Sequence, residues 1–160
     1  MAALQSFRPN PLRTNDTVVV LSVSPLEETH SRLRSVLQHT NWAMIESHEC
    51  CEAIQVLHQN SLAVVVCERD LPDGTWLDLL NQAEALPSPP LIIVTARDAD
   101  EQLWGEVLNL GGYDVLPKPL DSVEVTRVIS LAWRHWQQKW SIAGKPADAA
   151  TGAVVQSATA

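Results

Sequence analysis

The sequence predicts an α/β protein with a doubly wound, five-stranded parallel sheet. Three short segments rich in β-branched residues are apolar along their whole length, which is typical of strands buried on both faces of a parallel sheet. Segments with apolar residues at helical spacing alternate with these runs, as strand–helix–strand crossovers require. The chain has 160 residues, of which 46% are hydrophobic, so it is long enough for one domain with a sizeable core.

The strands are predicted from these β-branched runs. The three strong runs are Thr17–Val23, Leu62–Cys67 and Leu91–Thr95. Two weaker runs, Trp42–Glu46 and Tyr113–Leu116, fit the gaps between the helical segments. Right-handed crossovers between five parallel strands wind them into the flavodoxin-like (βα)5 order 2-1-3-4-5, with helices on both faces.

Helices are predicted where Leu, Val, Ile and Trp recur every three or four residues. They cover residues 27–38, 49–60, 75–86 and 98–110, and a last helix follows Asp121. Gly111 is expected to end the fourth helix as a left-handed cap. The spacing of Asp121 and Glu124 is that of a capping box at the start of the fifth helix.

The ends of the chain and its composition limit the kinds of function. Residues 1–15 are predicted to form an irregular arm, residues 16–140 the domain, and residues 141–160 a disordered tail. The net charge is -8, and no long basic run provides a nucleic-acid footprint. The three cysteines have no metal-type spacing, and no signal or membrane-spanning segment is evident. We therefore expect a cytoplasmic protein that binds neither nucleic acid nor membrane.

Four local features carry a resemblance to a known family. An acid followed by x-x-x-Pro-x-Gly ends strand 3, from Glu68 to Gly74, and strand 4 ends in Thr95-Ala96. Gly111-Gly112 precedes strand 5, and Lys118-Pro119 follows it. In their order and separation, these features resemble the receiver domain of bacterial response regulators, over about residues 17–140.

The resemblance implies a phosphoryl-accepting site at the carboxyl ends of the strands. In the family, a carboxylate at the end of strand 3 accepts a phosphoryl group from a partner kinase, and two acids after strand 1 hold Mg²⁺. A threonine and a lysine bind the phosphoryl oxygens, here Thr95 and Lys118. An aromatic residue on strand 5 commonly reports the change outward.

This sequence departs from the family pattern at the positions that carry the chemistry. Counted back from Pro25, the acid pair falls on Ser22 and Val23. The acceptor falls on Glu68, where the family usually has aspartate. The switch aromatic falls on Val115.

The remaining charges indicate a site without chemistry. A lysine beside a carboxylate favours its ionised form without any metal, so we expect Lys118 to balance Glu68. Asp70 alone is a poor ligand set for Mg²⁺, which prefers octahedral oxygen coordination. Without a metal, phosphoryl transfer loses its main electrostatic stabiliser. We therefore predict a pseudo-receiver that needs no cofactor or metal and is not an enzyme.

Several alternatives stay open at this point. The chain could be a working response regulator that accepts phosphate on Glu68 or Asp70. It could instead be a flavodoxin-like cofactor binder that uses the loop 22–24. Within the pseudo-receiver interpretation, Glu68 either mimics the phosphorylated state, pairing with Lys118 and accepting from Thr95, or is merely a polar strand end.

The aromatic residues suggest where partners bind. The sequence has six tryptophans, one Phe and one Tyr, and tryptophan is enriched in interface hot spots. The candidate interface residues are Trp104, Trp133, Trp136 and Trp140. We expect signalling proteins, such as a sensor kinase or an output protein, or a second copy on the helix 4–strand 5–helix 5 face. The alternative is that these indoles cap the core. Most of the five histidines are expected at solvated helix positions.

Overall fold

The structure is a computed structural model that describes the backbone of residues 18–144 and the side chains of residues 18–140. The predicted arm and most of the predicted tail lie outside the described residues. Five parallel strands form one sheet. They are β1 (Val19–Val23), β2 (Ala43–Ser47), β3 (Val64–Glu68), β4 (Leu91–Ala96) and β5 (Asp114–Pro117). Their order is β2-β1-β3-β4-β5, which confirms the predicted topology.

Five helices connect and cover the strands. They are α1 (Glu27–Leu37), α2 (Cys50–Gln59), α3 (Trp76–Ala83), α4 (Glu101–Leu110) and α5 (Ser122–Gly144). None of the helices in the described part of the chain is both long and apolar enough to cross a membrane. Between β3 and α3, Asp70–Leu71 and Gly74–Thr75 form a small antiparallel ladder where the sequence predicts only a turn.

Two helix boundaries differ from the prediction for identifiable reasons. Helix α4 begins at Glu101 because the Asp100 carboxylate accepts the N–H of Leu103 at 2.9 Å and caps the helix there. Helix α5 continues to Gly144, past the boundary predicted at residue 140. No glycine or proline precedes Gly144 in this stretch to interrupt the helix.

The core lies in two layers, one on each face of the sheet. Successive residues of a strand point to opposite faces. In β3, Val64 and Val66 therefore pack with α1 and α5, whereas Val65 and Cys67 pack with α2, α3 and α4. Glu68 follows Val66 by two residues, so the same alternation directs it to the α1–α5 face.

Two further polar residues share the face of Glu68. Ser22 follows Val20 by two residues in β1, and Thr95 follows Ile93 by two in β4. Both Val20 and Ile93 belong to the α1–α5 layer. Strand periodicity thus gathers Ser22, Glu68 and Thr95 at the carboxyl edge of the sheet, on the side that α1 covers.

Gly111 ends α4 in the left-handed conformation that the sequence predicts. Its φ is +113°, and its N–H donates to the Val107 carbonyl. A Cβ at this position would lie 3.3 Å from Leu80 Cδ2. Glycine is therefore required here by both conformation and packing.

Gly111 and Gly105 should respond to alanine in opposite directions. Gly111→Ala is expected to lower the free energy of unfolding by about 1–2 kcal/mol, because alanine is strained at positive φ. Gly105 lies inside α4 with nothing within 4 Å of a built Cβ, so Gly105→Ala should raise it by about 0.5–1 kcal/mol. Urea unfolding of both variants measures this, and equal signs would contradict the assignment of the helix end.

Candidate functional site

The site is built around Glu68, the last residue of β3. This residue is 8% exposed, and Lys118, which follows β5, places its Nζ 2.5 Å from Glu68 Oε2. Both side chains are about nine-tenths buried. The pairing expected from the sequence is therefore present, and it neutralises a carboxylate that would be costly to bury alone.

Two hydroxyl groups complete the environment of the same carboxylate oxygen. Ser24 Oγ donates to Glu68 Oε2 at 3.0 Å, and Thr29 Oγ1 donates to it at 2.8 Å. Ser24 precedes α1 and Thr29 lies in its first turn. One oxygen of Glu68 thus receives three donors, two of them from the β1–α1 region, and hydrogen bonds to a charged acceptor are among the strong ones.

Thr95 does not donate to Glu68, contrary to the mimic hypothesis. It pairs with Glu68 in the ladder between β3 and β4, but its Oγ1 is buried and has no hydrogen-bond partner within the described part of the chain. The Glu68 carboxylate instead accepts from Ser24 and Thr29 on the α1 side and pairs with Lys118 after β5. The contact on which the mimic of a phosphorylated state depended is therefore absent among the described residues.

Ser22 and Val23 stand where the family resemblance implies two acids. Ser22 Oγ lies 2.9 Å from His30 Nδ1, and His30 Nε2 lies 2.8 Å from the Ser24 carbonyl. A carbonyl only accepts, so Nε2 carries a proton and donates to Ser24, while Nδ1 is paired with the Ser22 hydroxyl. Val23 packs on the opposite face of the sheet. Neither residue is free to bind a cation.

His30 is the exception to the expectation that most of the histidines are solvated, since the other four are exposed. It is fully buried, and its ring makes hydrogen bonds at both nitrogens. It precedes Leu33 by three residues and Leu37 by seven, so it lies on the buried face of α1. That spacing was visible in the sequence and would have identified it.

The residues present do not fit the Mg²⁺ that the family resemblance implies. Ser22 is bound to His30, Val23 is apolar, and Glu68 is neutralised by Lys118. Across residues 18–140, no group of three His, Cys, Asp or Glu side chains is placed so that it could hold a metal ion. Mg²⁺ needs several hard oxygen ligands in octahedral geometry, and this site does not supply them.

Asp70, the other candidate acceptor, lies at the rim. Its Oδ2 is 3.1 Å from Arg69 Nε, and the two side chains are 71% and 42% exposed. A cavity of about 230 Å³ opens above Glu68. Its charged lining residues are Glu68, Asp70 and Asp98 against Arg69, Arg97 and Lys118. Acids and bases are equal in number, so the cavity has no surplus negative charge to attract a cation.

The loop after Glu68 is fastened to the start of α2. Asp73 accepts the backbone N–H groups of Cys51 at 2.9 Å and Cys50 at 2.7 Å. These bonds hold the pKa of Asp73 below its usual value. A carboxyl group whose pKa is lower in the folded than in the unfolded state stabilises the fold fully at pH values above the unfolded pKa. That stabilisation is lost as the pH falls through the folded pKa.

Val115, the switch-equivalent position, is buried at 1% exposure. Its carbonyl accepts from Trp104 Nε1 at 3.4 Å. Trp104 therefore reaches from α4 to β5, yet it remains 48% exposed, and Leu108 one turn later is 51% exposed. The residues Trp104 and Leu108 form an apolar α4 patch on the helix 4–strand 5–helix 5 face.

The tryptophans of α5 are used mainly in packing. Trp133 and Trp136 are stacked, with ring centroids 5.9 Å apart, and pack against the α1–α5 layer. Trp136 Nε1 also donates to the Pro89 carbonyl at 3.1 Å. Trp140 is partly exposed, with Lys139 Nζ 5.3 Å from its ring centroid. The core-capping alternative thus accounts for Trp133 and Trp136, and Trp104 stays the most exposed of the four.

Comparison with known families and proteins agrees with this geometry. The family model described as response regulator receiver domain matches residues 20–130. A curated relative, the probable transcriptional regulatory protein TcrX of Mycobacterium tuberculosis (strain ATCC 25618 / H37Rv), is 29% identical over 111 residues. The match covers 68% of this chain and 46% of the relative, so the chain spans just under half the length of that protein.

Solved structures share the fold. The signal receiver domain of an HD domain-containing protein from Pseudomonas fluorescens Pf-5 superposes with a TM-score of 0.71 at 22% identity, covering 82% of this chain and 97% of that one. The signal receiver domain of a putative Luxo repressor protein from Vibrio parahaemolyticus gives 0.74 at 16% identity, covering 80% and 98%. At these identities the likeness shows the fold alone.

Proposed function

Because the chain belongs to the response regulator receiver domain family, we propose that it is a phosphorylation-independent receiver domain that signals through protein contacts. One observation carries the proposal: the acceptor-equivalent Glu68 is already bound by Lys118, Ser24 and Thr29 through a single oxygen. A carboxylate held in this way is oriented toward α1 rather than presented for in-line attack on a phosphoryl donor. In-line attack tolerates little misplacement of the nucleophile.

Electrostatics support the same proposal. Phosphoryl transfer depends on a metal ion and fixed charges that stabilise the transferring group. Here the acid-pair positions are Ser22 and Val23, and the cavity above Glu68 is lined by equal numbers of acids and bases. Within residues 18–140, these groups do not form the charge arrangement on which the reaction depends.

The partners we propose are signalling proteins of a bacterial two-component-type pathway, a sensor kinase or an output protein, met in the cytoplasm. The acidic net charge of -8 disfavours nucleic acid and anionic membranes. The α4 patch, with Trp104 and Leu108 each about half exposed, is the apolar surface that favours a protein contact. This α4 patch would also allow a homodimer that forms through the helix 4–strand 5–helix 5 face.

Incubation with acetyl phosphate and Mg²⁺, followed by intact-mass measurement, tests the proposal. We expect no mass increase, because Glu68 is neither aligned nor assisted by a metal ion. A receiver domain that retains the two acids and the acceptor aspartate shows that the donor is active. Addition of one phosphoryl group to Glu68 or Asp70 would instead establish a working response regulator.

A further inference from the structure

The side chains around Glu68 are distributed unevenly. The hydroxyl donors to its carboxylate, Ser24 and Thr29, both belong to the β1–α1 region. On the other side, Thr95 makes no hydrogen bond through its hydroxyl within residues 18–140, and Val115 has no polar side chain that could respond. A change at residue 68 therefore meets two hydroxyl donors on the α1 side and Lys118 directly after β5, whereas Thr95 and Val115 offer it no hydrogen bond.

Thr29 is the residue that links Glu68 directly to a helix. It is 3% exposed, and its N–H donates to the Leu26 carbonyl at 3.2 Å in the first turn of α1. Its Oγ1 reaches Glu68 at 2.8 Å. Because the side chain and backbone of one residue make these two bonds, a shift of the carboxylate acts on the start of α1.

The surface beside α1 brings two of the three partners of Glu68 together. Thr29 and Lys118 both line a groove of about 820 Å³ between α1 and the segment that follows β5. Arg32 spans this groove, and its Nε donates to the Leu120 carbonyl at 3.0 Å. Helix α1 and the Lys118–Leu120 segment are thus joined both at the buried carboxylate and at the surface.

We propose that Thr29 is a positioning residue that couples the state of residue 68 to α1 and this groove, in place of a route through Thr95 and Val115. The inference rests on the proposed function, because it takes residue 68 to be unmodified. Hydrogen bonds to a charged acceptor are stronger than neutral ones, so the charge of Glu68 is what gives the Thr29 contact its strength. Removing that charge should loosen α1 first.

Amide hydrogen exchange of the wild type and Glu68→Gln tests the direction of the coupling. The substitution keeps the size of the side chain and removes its charge. We expect exchange of the amides near the start of α1, residues 29–33, to accelerate about tenfold, with α4 unchanged relative to the wild type. Acceleration in α4 and β5 with α1 unchanged would overturn the proposal.

Two substitutions at Thr29 separate its hydroxyl from its packing. Thr29→Val has the same shape without the hydroxyl and should reproduce the α1 pattern of Glu68→Gln. The double variant should accelerate the α1 amides no further than Glu68→Gln alone, because both substitutions weaken the same contact between Thr29 and residue 68. Thr29→Ser keeps the hydroxyl and should exchange like the wild type. If serine behaves like valine, or if the two substitutions add, Thr29 has only a packing role.

The experiment is performed on protein whose intact mass shows no phosphoryl group. A phosphoryl group found on Glu68 after acetyl phosphate treatment would refute the proposed function. It would not affect the exchange pattern measured on the unmodified protein. Exchange changes confined to α4 and β5 would refute the coupling through Thr29 but would not contradict the proposed function.

Discussion

Replacing Lys118 with methionine should lower the free energy of unfolding by about 3 kcal/mol. The substitution keeps the aliphatic stem and removes the cation that lies 2.5 Å from Glu68 Oε2. Glu68 would then be a buried carboxylate with no cation to balance it, because its other donors, Ser24 and Thr29, are neutral hydroxyls. Breaking one side of a buried ion pair is strongly destabilising for this reason.

A double-mutant cycle with Glu68→Gln isolates the pair. Urea unfolding of Lys118→Met, Glu68→Gln and the double variant should show that the double variant is more stable than the sum of the single losses predicts. Arg69→Met is the surface control. The Arg69–Asp70 pair is exposed on both sides, by 42% and 71%, so its loss should cost at most about 0.5 kcal/mol. A Lys118 effect as small as that of Arg69 would mean that the buried pair is not formed.

Replacing His30 with alanine should cost about 3 kcal/mol of stability. The ring is fully buried, so its removal leaves a cavity on the α1–α5 face. It also leaves the Ser22 hydroxyl and the Ser24 carbonyl without the nitrogens that lie 2.9 and 2.8 Å from them. Lost packing and unpaired buried polar groups both destabilise, and here they coincide.

His58→Ala is the matched control for His30. His58 lies on an exposed position of α2, where substitution should change stability by less than about 0.5 kcal/mol. Thermal or urea unfolding distinguishes the two variants. Equal, small effects at both positions would show that the His30 ring does not hold the β1–α1 loop.

The sheet and its topology could be predicted because strand burial leaves a strong mark in the sequence. The apolar run that ends at Cys67 is continuous because both faces of β3 are covered. Glu68 then stands out as the first charged residue after it. The same alternation of faces that buries Val64 and Val66 also determines which side of the sheet Glu68 faces.

The bonding partners of Glu68 could not be predicted to the same degree. The strand pattern places Thr95 beside Glu68 in the ladder, and the family resemblance suggests a contact between them. The carboxylate instead turns to Thr29, since the residues that meet it depend on how α1 docks, which is a property of packing rather than of local spacing. A threonine on the buried face of an amphipathic helix gives no sign in the sequence of which polar atom it meets.

Helix α5 has a mechanical consequence. Its 23 residues make a rod about 35 Å long at the usual rise per residue, about twice the length of a five-residue strand. The helix starts just after the Lys118–Leu120 segment. Further along, Trp136 donates to the Pro89 carbonyl, which lies just before the amino end of β4. A tilt of about 5° at its base would sweep the far end through about 3 Å for a straight helix of this length. A small rotation of α5 near the buried ion pair would therefore produce a larger displacement at the far end of the helix.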